Sequence, residues 1–509
     1  MWFLLALGMV NARVVMVLLF LLVAACKKDS IQDTSDPFAD EPPKNNFLAD
    51  SPWPITHCNT YAQASSPYSG PSTAEGEIYK KYQSGTPGMI TIAISGIYPS
   101  GNRVLWGGNA THVVKAIDTG RGFDIVAFKE KEDVSVGSIF SVDASTSGAY
   151  TLIDKDNIFY TPRGTRLYAY GDAIPYHEFS PIQLLRSFEI PSALTAANER
   201  IVGMTMTYDG HIAFATNNGL VGLVGRNFSE FHYYQFAGEE ISNSIACDEN
   251  NGIYVVTSKK MYRVQWTGME LSVAEAKGGW AADYETGSGG SGIRLGAGSG
   301  STPTLMGIQN QDKFVVITDG QDLMHLVLFW RDKIPDDWRQ IPGTKDRRIA
   351  AQVPVTFGNP AATRSLSEQS VCVRGYGALV VNNELKNAGS NKTANILLSG
   401  LPGNAPYGAE KFSWNPSSRQ LRSSWVNTSV SLPSGIPCMS SATNLAYCMG
   451  QKNGVWNFTA LDWSTGNTVF EIPFGNELQY NSAYAATEIG LNNGIYSGTL
   501  FGAVGAWQK

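Results

Sequence analysis

The chain is 509 residues long, with a formal net charge of −6 and only 16% charged residues. That weakly acidic balance argues against a nucleic-acid binder, which needs basic patches to neutralise phosphates. The 52 glycines, 11% aromatic residues and lack of a long amphipathic pattern point to an all-β chain.

Residues 1–25 hold one basic residue, Arg13, and no acidic one. Val14 to Ala25 is apolar but too short to span a bilayer comfortably, so residues 1–25 read as a processed targeting segment. Met9 is a better-placed start for such a segment than Met1, because apolar residues otherwise precede its only charge. The run Leu21-Leu22-Val23-Ala24-Ala25-Cys26 resembles the lipobox of bacterial lipoproteins. The resemblance implies lipidation of Cys26, anchorage to a membrane and a place in the bacterial envelope, with Lys27 after the cysteine implying the outer membrane. Which side of that membrane the protein faces is left open. The competing reading is a plain membrane anchor whose Cys26 merely follows small residues. Residues 26–54, rich in Asp, Ser, Pro and Asn, are expected to form a flexible tether.

Residues 55–509 read as one repeated domain. Glu77–Tyr82 is an isolated strand candidate. Groups of short strand patterns follow in Met89–Lys129, Ser138–Ile190, Ile201–Phe236 and Ile241–Ala276. A turn-then-strand device, Asp209-Gly210-His211-Ile212, returns as Asn251-Gly252-Ile253-Tyr254 and as Asn493-Gly494-Ile495-Tyr496. Gly210 and Gly252 stand 42 residues apart, about one four-stranded blade. A Gly/Ser-rich insertion, 278–302, interrupts the series. Its GSGGSG matches a dinucleotide fingerprint formally, but no helix pattern follows, so it reads as a chance match in a loop. Further units lie in Pro303–Gln340, Ser370–Leu432 and Ser440–Phe474, and the last, Ala483–Lys509, shows only three strands. A blade short of its outer strand leaves an open edge, and Glu77–Tyr82 is suited to fill it. The expected fold is therefore an all-β propeller of four-stranded antiparallel blades, closed by an N-terminal strand. Eight blades averaging about 53 residues fit the spacing better than seven, which stays open.

The clearest unit is Val455 to Gly475, which reads as strand, tight turn and strand with Gly466 free to take positive φ. Within it Ala460-Leu461-Asp462-Trp463-Ser464-Thr465-Gly466 through Phe470 resembles the repeat of pyrroloquinoline-quinone-type propellers, with Phe470 where the family usually carries Trp. Ala116-Ile117-Asp118-Thr119-Gly120 is a shorter echo. The resemblance implies the propeller fold, with Asp and Thr tying the turn and the aromatic packed between blades; it does not imply the cofactor.

Beyond Cys26, five cysteines remain: Cys58, Cys247, Cys372, Cys438 and Cys448. Cys438 and Cys448 flank a hairpin-length stretch and are the best disulfide pair in an oxidising compartment, the alternative being two buried thiols. No G-x-S-x-G, H-E-x-x-H, Walker or EF-hand motif occurs, and the six histidines are scattered. No catalytic residue, metal ligand or resident cofactor can be assigned from these patterns. The glycine-rich insertion carries Trp280, Asp283, Glu285 and Arg294, which are ligand-binding candidates if the loop covers the propeller mouth and a mobile surface insertion if it does not. Three functions compete: a binding or scaffold module taking a protein or small-molecule ligand, a quinone-dependent dehydrogenase, and a calcium-dependent lactonase or esterase-like hydrolase of the strictosidine-synthase or gluconolactonase kind. Fold alone cannot choose among them.

Overall fold

Eight small antiparallel sheets, each led by a short inner strand, make up the computed structural model, which describes residues 36–84, 91–109, 111–132, 149–287, 294 and 296–509. Asp40–Lys509 form one compact unit. The inner strands are Thr91–Ile94, Leu152–Ile153, Ile201–Met206, Ala246–Cys247, Thr304–Met306, Cys372–Arg374, Cys438–Ser440 and Thr487–Ile489, leading blades 1 to 8 in that order. In blades 1 to 7 the strands then follow in chain order outward. Thr91–Ile94 is buried at every position, whereas the outer strand Ile182–Glu189, after a buried Ile182, alternates exposed and half-buried residues, as a solvent-facing strand must. The core lies between blades: Trp106 of blade 1, for example, stacks on Phe159 of blade 2 with ring centroids 5.7 Å apart.

Blade 8 closes the ring as the spacing predicts. Ile78–Ser84 pairs antiparallel with Gly502–Gln508 along its whole length, from Ile78 opposite Gln508 to Ser84 opposite Gly502. Lys80 and Lys81 are exposed on this edge, where charge discourages pairing with another chain. Lys509 ties back to Glu77 through Nζ at 2.9 Å.

The hairpin in blade 7 also forms, with strands Val455–Asp462 and Thr468–Gly475. Asp462 Oδ1 accepts from the backbone N–H of Ser464 (3.0 Å) and Thr465 (2.7 Å) and from Thr465 Oγ1 (2.9 Å), so Asp and Thr do tie the turn. Gly466 takes φ +75°, and a Cβ there would stand 2.4 Å from the Trp425 ring of blade 6. Phe470 is buried in the core shared by neighbouring blades.

Three expectations need correction. The fifth unit runs past Gln340: its outer strand is Ile349–Pro354, reached by a charged, proline-containing loop that masks the pattern. Cys438 and Cys448 are both buried free thiols. Cys438 lies opposite Tyr447, one residue short of Cys448. Successive strand side chains point to opposite faces, so that one-residue offset turns the two sulfurs away from each other.

The third correction is larger. The part of residues 26–54 that is described does not behave as a tether. Leu48, Ala49 and Trp53 are buried, and residues 45–66 run inside the ring. Their backbone carbonyls accept from inner-strand N–H groups: Trp53 from Ile94, Pro54 from Ile153, Thr60 from Cys247, Tyr61 from Leu305, Gln63 from Val373 and Ala64 from Met439. Those donors belong to blades 1, 2, 4, 5, 6 and 7. Asn45 Nδ2 reaches blade 3 at the carbonyls of Met206 (3.2 Å) and Thr207 (3.1 Å). Ser65–Ser66 adds a parallel strand to the inner edge of blade 7. An inner strand exposes one row of unpaired backbone groups to the axis, and burial there without partners is costly. The axial segment supplies those partners. Cys26 and the targeting segment lie outside the described residues.

Candidate axial site

The axial segment turns sharply at His57 and Cys58, both in the left-handed region with φ +69° and +76°. Two such residues in succession cost on the order of 1–3 kcal/mol each. The turn is held by Cys58 N–H donating to Ile55 O (2.9 Å) and Ala64 N–H donating to His57 O (2.9 Å). It aims the imidazole at the inner edges of blades 5 and 6. Nε2 lies 3.3 Å from Ser370 Oγ and 3.5 Å from Thr302 Oγ1, long for hydrogen bonds. Tyr150, at the entry to blade 2, places its ring centroid 6.2 Å from that of His57 and hydrogen-bonds the Thr302 side chain.

His57 is 2% exposed, and burial lowers its pKa to about 4, so the ring is neutral at neutral pH. Its Nδ1 has no partner. The neighbouring Gln369 is 1% exposed with neither amide atom bonded. One residue further, Glu368 packs against Gly300, where a Cβ would stand 2.5 Å from its Oε1. Beside Glu368 lies Tyr484, itself at φ +70°, whose buried hydroxyl lacks a partner and whose pKa burial pushes well up. The run Glu368-Gln369-Ser370 thus links His57 at one end to Tyr484 at the other. Glu488, at the inner strand of blade 8, is buried; desolvation raises its pKa, and Oε2 is unbonded. Buried polar atoms are nearly always paired with protein or ordered water. A row of unpaired ones at the ring axis can hold water or an uncharged, hydrogen-bonding ligand.

The residues singled out in the glycine-rich insertion do not come together. Trp280 opens an extra strand, Trp280–Asp283, on blade 4 and is buried, donating to Arg331 O at 2.8 Å and lying under the Arg348 guanidinium. Asp283 is exposed and pairs with Lys260 at 3.1 Å. Glu285 stands 3.6 Å from Lys345. Arg294 is buried, with Nη2 donating to Gln321 O (3.0 Å) and Nη1 unbonded. Residues 288–293 lie outside the described residues. His57 has no pattern around it that marks it out. The polar runs Ser299–Thr302 and Glu368–Ser370, each just before an apolar inner strand, are the one sequence signal that points to this end of the axis.

No known family model matches the sequence. The fold is similar to that of a europium-containing methanol dehydrogenase, with a TM-score of 0.56, 11% identity, and 91% of this chain and 99% of the other covered. It is also similar to the quinohemoprotein alcohol dehydrogenase from Comamonas testosteroni, with a TM-score of 0.54, 11% identity, and coverage of 90% and 81%. At such identity the likeness is one of fold alone, the β-propeller. An uncharacterised protein of Archaeoglobus fulgidus is 45% identical over 483 residues, spanning 92% of this chain and 90% of its own. The chain belongs to the family of that Archaeoglobus fulgidus protein.

Proposed function

We propose that this protein is a membrane-anchored binding or scaffold propeller, held by a lipid on Cys26, that engages its ligand without transforming it. The observation that carries the reading is the axial segment: residues 45–66 occupy the ring's interior and bond to the inner strands. A quinone cofactor or a channel cation would compete with the protein's own backbone for that space. The donor set does not fit either group. Among the described residues no group of three or more His, Cys, Asp or Glu is placed to hold a metal ion, and the axial cluster around His57 sets its carboxylates, Glu368 and Glu488, among amide, hydroxyl and imidazole groups. The relative is archaeal, so it lends no support to a specifically bacterial outer membrane; a cell-envelope position is the form of the proposal retained here.

The test pairs binding with turnover. Purified protein is titrated with pyrroloquinoline quinone plus calcium or lanthanum while melting temperature and alcohol-dependent dye reduction are followed. No shift and no dye reduction are expected. A quinone-dependent rise in melting temperature together with dye reduction would overturn the binding-only reading.

A further inference from the structure

A second site lies between blades 1 and 2, away from the chemistry of the axial cluster. Lys131 follows the outer strand of blade 1, Phe123–Glu130, and its N–H is fixed by Thr111 O at 2.8 Å. The side chain folds inward: Lys131 is 5% exposed, and a Cβ on Gly108 would stand 3.5 Å from its Cε and Nζ. Gly108 ends the second strand of blade 1, and Arg163 ends the second strand of blade 2. The Lys131 head thus lies beside the end of the second strand of blade 1, Arg163 stands at the corresponding strand end of blade 2, and the guanidinium is near enough to act on the ammonium.

Lys131 Nζ is buried without a hydrogen-bond partner, and so is one nitrogen, Nη1, of the half-buried Arg163. Among the described residues the other buried cations differ from Lys131: Lys115, Arg263, Arg294, Arg331, Arg348 and Lys411 each reach at least one carboxylate or carbonyl oxygen. The adjacent carboxylate, Glu132, is turned elsewhere: it accepts from Tyr170 Oη at 2.5 Å and pairs with Lys129 at 3.1 Å. A buried cation normally carries a counter-charge. Here burial and the neighbouring Arg163 both work against the ammonium and lower the Lys131 pKa to about 7.

We propose that Lys131 and Arg163 form a binding site for an oxyanion of the phosphate or sulfate class. An ammonium with three donors and a planar guanidinium fork are the groups that recognise such an anion, and an occupied site relieves the repulsion between them. The anion is either free in solution or the charged group of a larger ligand.

Sodium phosphate, sodium sulfate and sodium chloride at matched ionic strength are compared by thermal unfolding and isothermal titration. Phosphate or sulfate is expected to raise the melting temperature where chloride does not. Lys131→Met and Arg163→Gln should each weaken that binding at least tenfold. Lys131→Met should also melt higher than wild type in chloride alone, because it removes an unpaired buried charge while keeping its volume. Equal stabilisation by all three salts, or equal phosphate binding in wild type and both variants, overturns the proposal. A Lys131→Met protein that melts lower in chloride and binds phosphate as wild type assigns Lys131 a packing role and overturns it as well. Binding of free phosphate at low concentration identifies the inorganic ion as sufficient; response only at high concentration identifies it as the fragment of a larger anionic ligand.

Discussion

His57 carries two costs at one position, a left-handed backbone and a buried unbonded nitrogen, and both are sustained by the axial turn. The protonation argument has a definite sign. The folded pKa lies near 4 against an ordinary value of 6.5, so between those limits the unfolded chain binds a proton that the folded chain refuses. His57 therefore lowers stability as pH falls from about 6.5 to 4, by up to about 3 kcal/mol, and contributes nothing of this kind above that window. His57→Asn keeps a residue that tolerates the left-handed region and removes the titration. Chemical unfolding across pH 4–7 should show a shallower acid loss in the variant; parallel curves would mean that the ring protonates freely in the folded state. Cys26 is the other residue on which a claim rests. Cys26→Ser should abolish acyl labelling and release the protein from the membrane fraction, and a variant that stays labelled and membrane-bound would remove the lipid anchor from the proposal.

At the scale of elements, the blades are joined by a recurring tie between a turn carboxylate and an indole. Trp507 Nε1 donates to Asp118 Oδ2 (2.9 Å) across the closure of blades 8 and 1. Trp266 does the same to Asp209 (2.8 Å) and Trp414 to Asp312 (2.9 Å). The Asp-Thr-Gly echo at 118–120 was readable because a tied turn needs those residue types in order. The indole donor was not, because it comes from a different blade and, for Asp118, from the far end of the chain. The closing strand was readable for a related reason: a final blade one strand short, and an orphan strand of matching length, form a simple complement. That pairing can be tested with two neighbouring prolines. Consecutive N–H groups in an antiparallel strand point alternately toward the partner and away. Of Lys80→Pro and Lys81→Pro, one should therefore remove a ladder bond and lower the melting temperature clearly, and the other should be tolerated as edge prolines are. Two equally mild variants would show that Ile78–Ser84 contributes little to holding the ring.

For the whole molecule, the sequence by itself determined the all-β class, the blade period and the closure by an N-terminal strand. These follow from local chemistry: turn residues that accept positive φ, strand patterns of fixed length, and the count of strands per unit. Only the tertiary structure decided what fills the ring. Residues 26–54 have the composition of a linker, but the segment 45–66 that overlaps them seats its backbone on the ring, its carbonyls pairing with inner strands from six blades. Backbone pairing leaves no signature in residue type. The same reason hid the axial site, since His57, Thr302, Gln369 and Tyr484 are separated by tens to hundreds of positions and meet only because radial repetition brings every inner strand to one axis. It also dispersed the candidates of the glycine-rich insertion, whose Trp280 proved to be an inter-blade wedge. Periodic features are written in neighbouring residues and can be read there, whereas an axial assembly exists only once the ring has closed.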